Sequence, residues 1–310
     1  MINIENEVTN KGFEISDTIH ICYASSHAYA KYLSLAMATV LMNKAESDKI
    51  CFHILDGGLS ENDKNKILHL KNIADFEIEF AKVDTEKFLN CPLGKRTHLS
   101  LATYYRLVLA DMLPQVNKVL YLDCDVEVKT SLKELYNEDI SEYSIGAITD
   151  ISSKRHCERL SLPGYYNAGV LLINLDKWRE FRFAEHVFEW IEENIKILKL
   201  LDQDVVNIYF KDSIKCLDKK WNAQGRLKFD EYDEIVKGAN VIHFIGTDKG
   251  DFVFKNIKAA LKTEFKIPLI RLYIFRCIKF IGQWAFVIRN KDEFTKQIII
   301  CGLRFNIRRK

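Results

Sequence analysis

Apolar runs and amphipathic stretches alternate along most of this chain. Thr18 to Ala24 reads as a buried strand, Ala28 to Asn43 as a helix, and Lys49 to Asp56 as a second strand. Ser60 to Ala74 has helical spacing, with Ser60 as its N-cap and Asp63 three residues on to complete a capping pair. Phe76 to Val83 makes a third strand. Ser100 to Met112 is a helix that Pro114 stops, and Lys118 to Leu122 is the next strand. Ser144 to Thr149 is a further apolar run, and Asn167 to Leu175 a buried strand. Asp176 to Leu200 reads as one long helix capped by Asp176, and Asp202 to Phe210 as a shorter one. Val241 to Gly246 closes the series as a short buried strand. This alternation predicts an α/β fold, a doubly wound sheet with flanking helices, whose ligands sit beyond the carboxyl ends of the strands.

The pattern changes near residue 266, which divides the chain into an expected catalytic domain, 1–265, and a C-terminal region, 266–310. Projected at 100° per residue, Ile270 to Arg289 places Ile270, Ile274, Cys277, Ile281 and Trp284 on one side. Arg271, Arg276, Lys279 and Arg289 fall opposite, interrupted by Leu272, Phe275 and Phe286. The spacing predicts a basic amphipathic helical tail. From residue 266 onward eleven Lys and Arg face two acids, a local excess of nine, so the formal net charge of +2 leaves −7 on the first 265 residues. No run reaches the roughly 18 apolar residues that span a bilayer. A basic amphipathic segment can instead lie on an anionic membrane surface, and residues 266–310 are expected to do so. The tail is aliphatic, without interleaved stacking aromatics, so nucleic acid is not an expected partner.

Eight cysteines are scattered without a Cys-x-x-Cys pair, as suits reduced thiols. Met1 to Glu7 lacks the basic start and apolar core of a secretory signal. The expected location is cytoplasmic, peripheral on the inner face of the cell membrane.

The densest chemistry lies at Asp123-Cys124-Asp125, which closes the strand Lys118–Leu122. Alternation along a strand sends both carboxylates to one side and Cys124 to the other. Two like charges in one small volume invite a divalent cation. His243, at the end of its own apolar run, can add an imidazole nitrogen. Two carboxylates and one imidazole suit Mn²⁺ better than Mg²⁺, which prefers oxygen ligands throughout. Gly246 permits close approach of backbone to a ligand, and the Lys249 ammonium can neutralise a leaving phosphate.

Four ordered segments, KVLYLDCDVEV (118–128), YNAGVLLINL (166–175), DQDVVN (202–207) and HFIGTDK (243–249), resemble the signatures of family 8 glycosyltransferases. The likeness is greatest to bacterial lipopolysaccharide galactosyl- and glucosyltransferases, and covers roughly residues 18 to 255. The resemblance implies a GT-A fold with a mixed sheet and retention of anomeric configuration. It also implies a UDP-hexose donor, a saccharide or glycolipid acceptor, and Mn²⁺ or Mg²⁺ held by Asp123, Asp125 and His243. On the same grounds Ala24, Ser26 and Tyr29 belong to the loop that holds uridine. Arg106, Asn167, Ala168, Asp202 and Gln203 match residues at the donor sugar, Cys124 sits between the metal ligands, Asp150 matches an active-site acid, and His98 lines the acceptor side. Two departures stand out: Ser26-His27 where relatives carry an acidic or amide residue, and Lys249-Gly250-Asp251 where Lys-Pro-Trp is usual.

Without an evident nucleophilic carboxylate, the expected reaction is front-face transfer, with Gln203 and Asp202 as electrostatic supports. Two other classes share parts of the pattern. A metal-dependent nucleotidyltransferase would want a glycine-rich loop after its first strand, and the loop here has no glycine. A non-catalytic sugar- or membrane-binding relative would lack one of the metal ligands.

Overall fold

The computed structural model describes residues 18–93, 101–225 and 237–245, and the backbone of three strands after residue 285. The chain divides into two units, Met1–Phe265 and Lys266–Lys310.

The first unit is built on a seven-stranded mixed sheet. Its strands are β1 (Thr18–Ser25), β2 (Lys49–Asp56), β3 (Glu77–Lys82), β4 (Lys118–Leu122), β6 (Ile145–Thr149), β7 (Tyr166–Asn174) and β8 (Ile214–Cys216), in the order β3-β2-β1-β4-β7-β6-β8. The strands β3, β2, β1 and β4 run parallel. β7 then pairs antiparallel with both β4 and β6. Ile21, Tyr23, Phe52, Leu120 and Leu172 are fully or almost fully buried, because helices cover both faces of such a sheet.

A second, three-stranded sheet is what positions the site. β5 (Val126–Val128) pairs antiparallel with β10 (Val241–Phe244), which pairs in parallel with β9 (Ala223–Gly225). Helix α1 (Ala30–Asn43) is tied to β5, where the Thr39 hydroxyl accepts from the Val128 N–H at 3.1 Å.

Ser60 and Asp63 form the expected reciprocal capping box at the start of α2 (Glu61–Leu68). Three expected helices are different. Ser60 to Ala74 stops as an α-helix at Leu68 and continues as a 3-10 turn, His69–Asn72. Ser100 to Met112 resolves into a 3-10 segment, Leu101–Val108, followed by α3 (Leu109–Met112). Eight residues of 3-10 helix is an unusual length. Here Thr103, Tyr104 and Tyr105 have modest helix propensity, and Tyr104, Tyr105 and Arg106 are all buried. The long helix 176–200 is in fact two, α6 (Leu175–Glu180) and α7 (Phe183–Asn194), broken at Arg182, whose φ is 50°. The break lets Trp178, Phe183 and Phe210 pack ring against ring at 4.7–5.1 Å. The cap of α6 is Asn174, whose side chain accepts from the Lys177 N–H, and Asp176 lies within the first turn, paired with Arg179. The remaining helices of the unit are α4 (Lys133–Tyr136), α5 (Ser153–Leu160) and α8 (Asp202–Tyr209).

In the second unit β11 (Phe286–Asn290), β12 (Thr295–Ile300) and β13 (Leu303–Arg308) form an antiparallel sheet. The helix expected over 270–289 therefore meets a strand in its last turn, where Val287 and Ile288 bring β-branched propensity. Its earlier turns lie outside the described residues. Among the described residues no helix is long and apolar enough to cross a membrane.

Candidate active site

Asp123 to Asp125 is a turn between β4 and β5 rather than strand. The expected division of side chains nevertheless holds. The Cys124 thiol points to the end of β1 and donates to the Ala24 carbonyl at 3.3 Å, and burial pushes its pKa well up. Asp123 and Asp125 turn the other way. Backbone pairing brings the imidazole to them: His243 stands opposite Val126 in the β10–β5 register, and the Phe244 N–H donates to the Asp125 carbonyl at 3.0 Å. His243 Nε2 lies 3.3 Å from Asp125 Oδ1 and 3.7 Å from Asp123 Oδ2.

The other nitrogen of that ring fixes its orientation. Nδ1 faces two amide oxygens, Asn167 Oδ1 at 3.1 Å and Asn222 Oδ1 at 3.2 Å, so it carries the proton and donates. That leaves Nε2, beside two carboxylates, as the nitrogen able to ligate a cation. Three acceptors converge within 4.8 Å of one another, an arrangement that fits a divalent cation.

Gly169, on β7, makes room for the ring. A Cβ there would stand 2.1 Å from His243 Cε1 and 2.9 Å from Asp123 Oδ2. We expect Gly169→Ala to cost about 1–3 kcal/mol of stability through overpacking and to weaken Mn²⁺ binding, as thermal melts with and without Mn²⁺ would show.

Arg106 is buried, 3 % exposed, where an exposed helix arginine is the ordinary expectation. One guanidinium nitrogen donates to Asp123 Oδ1 at 2.8 Å, another stands 3.0 Å from Asp202 Oδ2, and a third donates to the Ala168 carbonyl. Burial opposes its charge, yet Asp123 and Asp202 outweigh burial and push its pKa up. The arginine thus occupies one oxygen of Asp123 and leaves the other for the cation.

The segment Asp202 to Asn207 docks α8 on the sheet residue by residue. Asp202 takes Arg106 and the Thr103 hydroxyl. The Gln203 amide oxygen accepts from the Ala168 N–H at 3.1 Å and from Asn167 Nδ2 at 3.3 Å, while its nitrogen donates to Asp150 Oδ2 at 3.3 Å. Asp204, fully buried, accepts from Arg159, Tyr165 and the N–H groups of Lys199 and Leu200. Asn207 bonds both backbone groups of Tyr166. Leu201, just before, adopts a left-handed φ of 54°, a strain of the kind tolerated where a site demands it.

Burial raises the Asp202 carboxyl to about 6, against the pull of Arg106. The folded protein therefore binds a proton that the unfolded chain releases near 3.8. Stability contributed here is present below the unfolded value and falls by about 3 kcal/mol as pH rises through the folded one. Denaturant titrations between pH 4 and 7 should show that decline, and Asp202→Asn should remove it.

Arg106, Asp123, Asp125, Gly169, Asp202, Gln203 and His243 face one cleft of about 1200 Å³. Ala24, Ser26 and Tyr29 line its end nearest β1, and Asp150, Asn167 and Gln203 its far wall. His98, Gly246 and Lys249 lie outside the described residues. Several lining residues escape sequence reasoning. Gln224 comes from the three-residue strand β9, too short to show periodicity, and bonds the Ile151 N–H and the Thr149 carbonyl; Asn222, just before that strand, lies behind the wall against His243. Arg155, Arg159 and Lys199 form a cationic stretch of the wall, with His156 among them, whose pKa burial lowers. Gly169 sits inside a motif that the sequence displays, and only its contact with His243 reveals its purpose.

The family model described as glycosyl transferase family 8 matches residues 20–250. A putative glycosyltransferase of Haemophilus influenzae is 32 % identical over 213 residues, 67 % of this chain and 64 % of that protein, just under two thirds of its length. The lipopolysaccharide 1,3-galactosyltransferase of Salmonella typhimurium is 27 % identical over 250 residues, 76 % of this chain and 73 % of that protein. The crystal structure of the galactosyltransferase LgtC with donor and acceptor sugar analogues superposes with a TM-score of 0.71 at 28 % identity, covering 82 % of this chain and 99 % of that one.

Proposed function

Because this chain belongs to glycosyltransferase family 8, we propose that it moves a hexose, galactose or glucose, from a UDP-sugar to a saccharide acceptor with retention of configuration. The observation that carries this reading is the convergence of Asp123, Asp125 and Nε2 of His243 inside the cleft. These three residues would hold Mn²⁺, or Mg²⁺. The bound ion would supply positive charge to the diphosphate oxygens as the anomeric bond breaks.

The chain's own groups do the rest. Tyr29, half-buried at the edge of the cleft, offers a ring to the uracil, and Ala24 and Ser26 border the ribose. Arg106 holds Asp123 in place and neutralises part of the local negative charge. Gln203 is fixed by Ala168, Asn167 and Asp150, so its amide is preorganised toward the sugar. Asp202 is engaged on both oxygens by Thr103 and Arg106, which makes it a poor covalent nucleophile. That favours front-face transfer: the acceptor hydroxyl enters beside the leaving diphosphate, the new glycosidic bond forms as the anomeric bond breaks, and the hydroxyl proton passes to a diphosphate oxygen. Isolation of a sugar covalently attached to Asp202 or Gln203 would overturn this step.

The names of similar proteins support a lipopolysaccharide or other cell-surface glycan as acceptor. A nucleotidyltransferase reading finds no support in the family match. Screening UDP-glucose, UDP-galactose and their N-acetyl forms for Mn²⁺-dependent hydrolysis tests the donor class. We expect one hexose to be hydrolysed fastest, and no metal-dependent hydrolysis of any would refute the proposal.

The basic excess after residue 265 supports a further part of the reading, attachment of a cytoplasmic enzyme to the inner face of an anionic membrane. Each Lys or Arg at such a surface contributes about 1 kcal/mol. Removing residues 266–310 should release the protein from anionic vesicles in flotation assays while sparing donor hydrolysis. Vesicle binding that survives the deletion would contradict it.

A further inference from the structure

At the opposite end of the main sheet from the cleft, three adjacent parallel strands place metal-ligating side chains on one face. In the register His20 of β1 stands beside Cys51 of β2, and Cys51 beside Glu77 of β3; one rung on, His53 stands beside Glu79. His20 lies roughly 16 Å before the end of β1, at about 3.3 Å per residue. This cluster is therefore separate from the carboxylates at Asp123 and Asp125.

We propose that His20 Nδ1, His53 Nε2 and Cys51 Sγ bind a zinc ion. The three ligand atoms lie within 4.8 Å of one another. His20 Nδ1 and His53 Nε2 are 3.0 Å apart. At an ion about 2.0–2.1 Å from each nitrogen they subtend about 95°, which a tetrahedral zinc site accommodates with small side-chain adjustment. The second nitrogen of His53 is already committed: Nδ1 faces Glu79 Oε2 at 3.2 Å. A carboxylate there holds the proton on Nδ1 and turns the Nε2 lone pair inward, the carboxylate–histidine pairing that orients imidazole ligands in zinc sites. His53 and Cys51 are buried, 4 % and 9 % exposed, and His20 is partly exposed, so the cluster has one face open for an ion to enter.

The chemistry of the set selects the ion. A thiol and two imidazoles are borderline-soft ligands suited to zinc, unlike the carboxylate-rich set in the cleft. Binding forms a metal–sulfur bond and releases the Cys51 thiol proton to solvent. Glu77, beside Cys51 in the register, is not among the three groups whose ligand atoms converge, so water takes the fourth position. An ion so held would staple β1 and β2 together at the end of the sheet that the cleft does not use.

Cobalt(II) is the probe, because a thiolate–cobalt bond gives a charge-transfer band in the near ultraviolet that carboxylates and imidazoles do not. The full chain carrying Asp125→Ala, which disables the cleft, is titrated with Co²⁺. The expected result is that band at one equivalent, displaced by Zn²⁺ and absent after Cys51→Ser. Glu79→Gln, which removes no ligand, should weaken Co²⁺ binding by about 10-fold or more. His20→Gln, at a partly exposed position, gives a second ligand variant should Cys51→Ser fold poorly, and it too should lose the band. No thiolate band in the Asp125→Ala chain, or a band that persists through Cys51→Ser or His20→Gln, would overturn the site.

Discussion

Replacing Asp125 by alanine should lower turnover of a UDP-hexose by about 10²–10³-fold, the usual effect of removing one group that meets charge developing in a transition state. Asp125 is 9 % exposed and its Oδ1 sits nearest to His243 Nε2. Without it Asp123 keeps only the oxygen that Arg106 leaves free, and two ligands in place of three hold the cation. The loss should appear in turnover and in Mn²⁺ affinity together. Excess Mn²⁺ should restore part of the activity, which separates a lost ligand from a collapsed fold. Turnover close to that of the unaltered chain would remove Asp125 from the metal site.

Arg106→Met should destabilise the protein by about 3–5 kcal/mol, because it strands Asp202 and leaves Asp123 unpaired. The deficit should shrink as pH falls, because Asp202, freed of the arginine that lowers its pKa, takes up a proton above the value of about 6 it has in the unaltered chain and no longer needs a cation. Adding Asp202→Asn should recover much of the stability, since removing both partners of a buried pair is far less costly than removing one. Activity should stay low in the double variant, because Asp123 remains without the arginine that orients it. A single variant as stable as the original at pH 7 would mean that the pair contributes nothing to the fold.

Six of the seven strands of the main sheet were legible as apolar runs, β2 to the residue, because strands covered by helices carry no competing polar pattern, whereas β8, three residues none of which is buried, was not. The Ser60–Asp63 capping box was legible for a similar reason, since its chemistry is local. Long-range partnerships were not. Arg106 in isolation resembles a solvated helix cation, and its burial depends on Asp123 and Asp202, which come from distant parts of the chain. Asp204 and Asn207 stood inside a visible motif, while their work, anchoring α8 to Tyr165 and Tyr166, depends on tertiary contact. The break at Arg182 arises because Trp178, Phe183 and Phe210 gain more from packing than one continuous helix would. Asn222 left no trace, although it shares with Asn167 the task of setting the His243 tautomer.

The most direct measurement is a calorimetric titration of UDP into the full chain, once with Mn²⁺ and once with a chelator, repeated for His243→Ala. Binding that requires Mn²⁺ in the unaltered chain, and that weakens by at least about tenfold in the variant, is what ligation by Asp123, Asp125 and His243 predicts. Equal UDP affinity with and without the metal would contradict it.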